Sequence, residues 1–334
     1  MEWNWQHPEW PNFRYDAQAL QPLDSAFLQA SGFLIGTVQH LDTTEREQIT
    51  IEAISEEALK TSEIEGEFLD RGSVQSSVRQ GLGLKIENTG HIPAAERGIA
   101  EMMVDVYKHF DEPLKETTLH RWHKHLLAGR IDLQNIGHYR TCKAPMQIVS
   151  GAIHAPKVHY EAPPSSQVPE EMKAFLQWYT QSTRTPALIR AGIAHIYFLA
   201  IHPYSDGNGR LARALSEKLL AEAIGQPTLL ALAQTIEADR KHYYQALQAT
   251  NQGLEIDPWL EYFGQTVLRA QKTSFEKVQF LLKKGKMLHR LEHTLNPRQI
   301  KVLKRLFQAG PNGFKGGLSA ENYVSITGTS RATA

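Results

Sequence analysis

Two apolar-periodic runs meet at a polar corner two-thirds of the way along the chain. From Ala187 to Ile201 the residues are almost all apolar, at a spacing that predicts a helix. Pro203 disfavours the α region for the residue before it, so that helix should stop with the imidazole of His202 at its end. A second run, Leu211, Leu215, Leu219 and Leu220, predicts another helix, and Gly207-Asn208-Gly209 leads into it as a tight turn. A glycine turn at a helix N-terminus presents free N–H groups and the positive end of the helix dipole, which suits a phosphate. Upstream, Phe27, Leu28, Phe33 and Leu34 punctuate one helical run and Ile49, Ile51, Ile54, Ala58 and Leu59 another, between about Asp16 and Gly81. Residues 94–129 read as two further helices, 170–180 as one, and Arg240 to Leu247 and the stretch from Asp257 as two more. The period changes only between Gly137 and Tyr160. There Met146 to Val149 and Ala152-Ile153 flank Ser150-Gly151, the predicted two-residue turn of a hairpin. The pattern is therefore all-α with one hairpin.

The corner carries the chemistry. From His202 to Arg213 it reads H-P-Y-S-D-G-N-G-R-L-A-R, and Arg210 and Arg213 lie three apart at the start of a helix, so they share a face. His202 supplies a base, Asp206 a metal ligand, and Gly207, Asn208, Gly209, Arg210 and Arg213 a polyphosphate cradle, which together match phosphoryl or nucleotidyl transfer. Each residue alone also admits a plain helix-turn-helix corner, with Asp206 as a cap, the glycines for the bend and His202 closing the preceding helix.

This segment resembles the signature of the Fic family, H-x-F-x-[D/E]-G-N-G-R-x-x-R, with Tyr204 in place of the usual phenylalanine. The resemblance extends through most of residues 40–270. It implies a helical core and transfer of AMP from ATP to a Ser, Thr or Tyr hydroxyl of a protein, with His202 as base and Mg²⁺ on Asp206. It also implies that the hairpin is a flap on which the protein substrate docks by strand addition. Asn208 and the backbone of residues 207–210 would cradle the α- and β-phosphates, Arg210 and Arg213 would clamp the β- and γ-phosphates, and Tyr243 or Tyr244 would wall the adenine. Residues Thr61 to Glu67, T-S-E-I-E-G-E, resemble the family's inhibitory-helix motif [S/T]-x-x-x-E-[G/N] over 61–66, in the N-terminal position of its second class. Thr61 and Glu65 share a helix face there, and Glu65 would pair with Arg213. By composition alone the same stretch is a solvated acidic face ended by Gly66.

Composition adds exclusions. The 334 residues carry 36 basic and 36 acidic side chains, so no global field attracts nucleic acid or an anionic membrane. One cysteine, Cys142, excludes an internal disulfide, and the absence of a leader-like N-terminus or a long apolar run leads us to expect a cytoplasmic protein. No P-loop motif occurs, and the G-L-G-L at Gly81 to Leu84 lacks the setting of a dinucleotide fold. His120 and His123 share a helix face, but without H-E-x-x-H the run reads equally as a buried helix. Trp3, Trp5, Trp10, Phe13 and Tyr15 predict an extended segment packed on the body; it resembles a small module found before Fic domains.

Three parts are expected: an N-terminal helical region over 1–92 with the inhibitory helix, a Fic core over 93–271, and a linker with an incomplete winged helix over 272–334. The linker reading rests on K-K-G-K at Lys283 to Lys286, and the resemblance to a winged helix-turn-helix begins at Asn296 and runs out at Ala334 within the recognition helix. The partners this reading admits are ATP, a protein substrate on the flap including a second copy of the chain, a homodimer mate, and DNA only if the winged helix is complete; no membrane is among them. Two other functions stay open: an ATP-sensing winged-helix regulator, and a Fic enzyme that transfers phosphate or removes AMP.

Overall fold

The computed structural model describes residues 2–85, 90–152, 155–291, 294–307 and 313–331, and among these the fold is helical with one two-stranded sheet. Its centre is the pair α7 (Ala187–Ile201) and α8 (Asn208–Ile224). α7 is apolar all round and buried on nearly every residue, as a helix without a polar face must be. It stops where Pro203 requires: His202 takes φ 49°, in the left-handed region, and its N–H still donates to the Phe198 carbonyl at 3.0 Å. Gly207, at φ 80°, supplies the second sharp turn and α8 starts at the next residue.

Helices α1 (Ala17–Gln39) and α11 (Asp257–Leu291) pack on one side of this pair. α1 is capped by Asp16, whose carboxylate accepts from Gln18 and Ala19 N–H. α11 corrects the sequence reading: residues 272–291, expected as a linker, continue one unbroken helix through Lys283 to Lys286. Phe275, Val278, Leu281 and Leu282 give that half an apolar stripe against Leu34, Val38 and Ile49, and this helical spacing outweighs the basic run.

On the other side, α2 (Thr43–Ile64) begins with a capping box of Asp42 and Glu45 and ends at Gly66, φ 84°. α3 (Arg71–Gly81), α4 (Ala94–Lys108) and α5 (Glu116–Leu126) follow, then α6 (Val168–Gln181) before the central pair, and α9 (Leu232–Ala238) and α10 (Arg240–Ala249) after it. α12 (Pro297–Phe307) and α13 (Ala320–Thr327) contact each other, and α13 closes on Gly328 at φ 69°. The expected recognition helix was to be cut by Ala334, and residues 332–334 lie outside the described residues.

The hairpin pairs β1 (Gln147–Ala152) with β2 (Ala155–Glu161), antiparallel, with a register shift between Ile148 and Val149. The turn is not at Ser150-Gly151. Ser150 pairs with Lys157 and Gly151 with Pro156, so both lie within β1, and residues 153–154, which follow that strand, lie outside the described residues; the Ser150 hydroxyl is 2.6 Å from His159 Nε2 across the strands. The aromatic N-terminus packs on the body as expected, though Asn4–Gln6 form a 3-10 turn instead of an extended segment, and it braces the hairpin base against α7. Trp3 meets Tyr160 edge-on at 5.4 Å, Trp10 meets Tyr197 at 5.2 Å, and Trp5 Nε1 donates to the Glu161 carbonyl at 2.7 Å. The Tyr160 hydroxyl lies 2.9 Å from Asn4 Oδ1 and donates to the Ala200 carbonyl at 2.8 Å.

One buried acid pair ties α2 to α8. Glu57 accepts from Ala233 N–H at 2.7 Å and faces Glu217, and burial pushes the Glu57 carboxyl up to about 7 and Glu217 well above the usual carboxylate range. Arg213 from α8 and Lys277 from α11 offset part of the charge, and Glu56 adds to it. Both acids bind protons more tightly folded than unfolded, so their contribution to stability is full below the ordinary carboxylate pKa and is lost as pH rises through about 7. Glu217→Gln removes one titrating partner. Urea denaturation at about pH 5 and about pH 8 should show a smaller difference in unfolding free energy for the variant than for the parent; an unchanged difference would show that the pair does not titrate on unfolding.

Candidate active site

His202 sits at the corner between α7 and α8 with one ring nitrogen already used. Nδ1 lies 3.3 Å from the Leu199 carbonyl, which can only accept, so Nδ1 carries the hydrogen and Nε2 keeps its lone pair. Burial pushes the pKa down to about 4, against the Leu199 hydrogen bond. The ring is therefore neutral at physiological pH. Its left-handed backbone is held by Arg140, a residue that sequence reasoning missed. The Arg140 Nε donates to the His202 carbonyl at 2.7 Å, Nη2 to that of Ile201 at 3.3 Å, and its backbone N–H to that of Pro203 at 2.9 Å.

Tyr204 plugs the corner from below. It is fully buried, stacks on His123 with centroids 4.0 Å apart, and its hydroxyl is 2.9 Å from His120 Nδ1. His120 and His123 are thus part of an aromatic floor. His123 Nδ1 accepts from Gly137 N–H at 2.8 Å, and no group of three potential metal-ligating side chains occurs among the described residues. Asn208 differs from the expected phosphate contact. Its side chain is buried and committed at both ends to Tyr204, accepting from its N–H at 3.0 Å and donating to its carbonyl at 2.7 Å, so it closes the turn that shapes the cradle.

The two arginines point to the end of α2 and are buried, each with 2% of its side chain exposed. Arg213 donates from Nε to Thr61 Oγ1 at 2.7 Å, and from Nη2 to the Thr61 carbonyl at 3.0 Å and Glu65 Oε1 at 2.7 Å. Arg210 pairs through Nη1 with Glu67 Oε2 and lies 3.9 Å from Asp206 Oδ1. Each keeps one buried N–H without a partner, Nε in Arg210 and Nη1 in Arg213. The Glu65 carboxylate lies directly on Gly209, where a Cβ would run into it. Asp206 accepts from Gly207 N–H at 2.6 Å and from Arg130 Nη1 at 3.2 Å. Of the tyrosines, Tyr243 is 2% exposed with its hydroxyl 2.8 Å from His195 Nε2, so it has no face free for a base; Tyr244, at 45%, is the exposed ring.

Comparison with known proteins gives the family and the fold. Residues 113–220 match the Fic/DOC family model, and residues 3–84 match a family described as Domain of unknown function (DUF4172). The chain carries a Fic/DOC-family domain. It is distantly related to Fic protein adenylyltransferases: it is 25% identical over 230 residues to protein adenylyltransferase fic-1 of Caenorhabditis elegans, covering 65% of this chain and 42% of the relative. It is 31% identical over 111 residues to protein adenylyltransferase Fic of Nematostella vectensis, covering 32% and 24%. The chain thus spans less than half the length of these relatives. Among solved structures, a Fic family protein from Desulfovibrio desulfuricans G20 aligns with a TM-score of 0.57 at 20% identity, over 93% of this chain and 86% of that one. Residues 134–508 of C. elegans Fic-1 align at 0.54 and 22%, over 77% and 73%. These identities show the fold, a helical Fic fold with one antiparallel hairpin. No helix among the described residues is long and apolar enough to cross a membrane.

The role of Asn208 can be checked through stability. Losing two buried hydrogen bonds and leaving Tyr204 N–H and C=O without partners should cost about 1–3 kcal/mol in Asn208→Ala. Urea denaturation measures this; a variant as stable as the parent would mean that the side chain is not what closes the turn.

Proposed function

We propose that the protein is an adenylyltransferase that moves AMP from ATP to a Ser, Thr or Tyr hydroxyl of a protein and is held in check by Glu65. The observation that carries the reading is the Glu65 carboxylate, an anion lying on Gly209 at the N-terminus of α8 and bonded to Arg213. A carboxylate in that place satisfies the same groups that a phosphate would.

The residues fit a magnesium nucleotide. Two buried guanidinium N–H groups, on Arg210 and Arg213, have no partner, and the first N–H groups of α8 have no preceding turn to accept them. One carboxylate, Asp206, without a surrounding cage of protein ligands suits Mg²⁺, which takes one or two carboxylates and completes its shell with phosphate and water. When bound there, the ion would neutralise charge on the departing pyrophosphate.

In the proposed reaction, His202 Nε2 takes the proton of the acceptor hydroxyl while that oxygen attacks the α-phosphorus of ATP. The new O–P bond forms as the bond to pyrophosphate breaks, and the electron pair leaves with pyrophosphate. A neutral ring with Nδ1–H anchored to Leu199 is in the right tautomer for this step. Arg210 and Arg213 hold the phosphates, and the exposed strands of the hairpin, with Ile148, Val149 and Val158 facing out, offer the acceptor segment an edge to pair with. Tyr244 is the candidate wall for the adenine.

Glu65 engages Arg213 without filling the rest of the cradle, so ATP can enter with its γ-phosphate denied that arginine and its α-phosphate turned from in-line attack. A displacement of about 1 Å can cost roughly 10²-fold in rate. Glu65→Gly is therefore expected to raise incorporation of label from α-labelled ATP roughly 10-fold to 10²-fold. Adding Arg213→Ala should abolish the gain, and γ-labelled ATP should give none, which separates AMP transfer from phosphate transfer. Equal labelling by folded parent and Glu65→Gly protein would refute inhibition by Glu65. His202→Ala in the Glu65→Gly background should bind ATP and transfer nothing. With the His202 pKa near 4, the rate should hold from neutral pH down to about pH 5 and fall only below it, as the base becomes protonated. An acid limb centred near pH 6.5, the ordinary histidine value, would overturn the assignment of a base whose pKa is held low.

A further inference from the structure

Asp206 and Arg210 belong to a closed ring of alternating charge whose other two members lie outside the His202–Arg213 segment. Arg130, in the loop after α5, donates from Nη1 to Asp206 Oδ2 at 3.2 Å and stands 3.8 Å from Glu67 Oε1. Glu67 gives its other carboxylate oxygen to Arg210, and Arg210 Nη2 returns to Asp206 Oδ1 at 3.9 Å. Glu67 is placed by the end of α2: Gly66 turns the chain at φ 84° and Glu67 N–H donates to the Ser62 carbonyl at 3.0 Å. Two carboxylates two residues apart thus serve two arginines, Glu65 on Arg213 and Glu67 on Arg210.

The members differ in freedom. Arg210 is buried at 2% exposure and has no other place for its charge, while the side chains of Glu67 and Arg130 are 35% and 37% exposed. Arg130 also has a second anchor, donating from Nε and Nη2 to the two oxygens of Asp132 at 2.7 Å each. It can leave Asp206 and remain paired. The fixed half of the ring is therefore Arg210, and the movable half is Glu67 with Arg130.

We propose that Glu67 and Arg130 are positioning residues that set nucleotide affinity: Glu67 stands at Arg210 in place of a phosphate, and Arg130 stands at Asp206 in place of the metal. This rests on the reading of the site as a magnesium-nucleotide site. Binding has to exchange both contacts, so the two residues weaken affinity, whereas Glu65 acts on the orientation of what is bound. The two exchanges are separable. Glu67 competes with phosphate whether or not a metal is present, and Arg130 competes only with the metal.

The test is calorimetric binding of α,β-methylene-ATP, which cannot transfer AMP, to the full chain with and without Mg²⁺. Glu67→Gln, which keeps the shape and an acceptor for Arg210, should tighten binding about threefold to tenfold in both conditions. Arg130→Gln, in a partly exposed loop where folding is not at stake, should tighten binding by a similar factor only with Mg²⁺. In Glu65→Gly backgrounds both changes should lower the KM for ATP and leave kcat within about twofold, a split that a purely structural role would not produce. Measurable binding by the parent with unchanged or weaker binding by both variants would overturn the latch alone. Absence of binding by parent and Glu65→Gly protein alike would overturn the nucleotide site itself, and the latch with it.

Discussion

Two guanidinium groups buried in the core of a helical domain set the terms for the rest of the structure. α8 cannot leave the core, because its apolar stripe and that of α7 are the centre of the fold, and Arg210 and Arg213 go inside with it. A buried cation must be paired or it costs several kcal/mol, roughly, in lost hydration. The close pairing comes from the last turn of α2 and the three residues after it, through Thr61, Glu65 and Glu67, with Asp206 farther off at 3.9 Å from Arg210. The capping box at Asp42, the contacts of α2 with α9 and α11, and the Glu57–Glu217 pair deliver that turn to α8. The glycine at 66 stops the helix where the second carboxylate can reach back.

What the sequence made legible was local. Pro203, the glycines at 207 and 209 and the leucine period after them specify the corner between α7 and α8 almost to the residue, because each acts on its own backbone or its nearest turn. The fork of Glu65 on Arg213 spans 148 residues, and it was legible only through the resemblance of two motifs; no spacing links them. Glu67, Arg130 and Arg140 carry no such signal. Their roles come from the fold bringing a loop, a helix end and a corner together, and in the sequence they are ordinary polar residues outside regular patterns.

The readings that failed share one cause, local composition outweighed by packing. K-K-G-K looks like a linker until the apolar positions at 275, 278, 281 and 282 find Leu34 and Ile49, and a glycine in mid-helix costs only about 1 kcal/mol against that burial. Ser150-Gly151 is good turn chemistry, yet cross-strand pairing sets the register and carries it into the strand. Asn208 was expected at the phosphates and Tyr243 was one of two alternatives for the adenine wall; both side chains face inward, because each satisfies a polar group that the tight packing of α7, α8 and α10 would otherwise strand.

The cradle is therefore never simply empty. An anion beside Arg210 and Arg213 offsets the cost of burying them, and here Glu67 and Glu65 supply it. Removing Glu65 would leave Arg213 its hydrogen bonds to Thr61 but no counter-charge, and under the proposed function stability should then depend on whatever phosphate is present. A nucleotide that binds the folded state alone stabilises it by mass action, about 2.7 kcal/mol at a hundredfold excess over its Kd. The carboxylates that pair the buried arginines are thus the same ones that the proposed inhibition would use. Under the proposed function the site would be switched by exchanging one anion for another, and the turn around Tyr204, closed by Asn208 and Arg140, would keep its shape because neither residue needs to move.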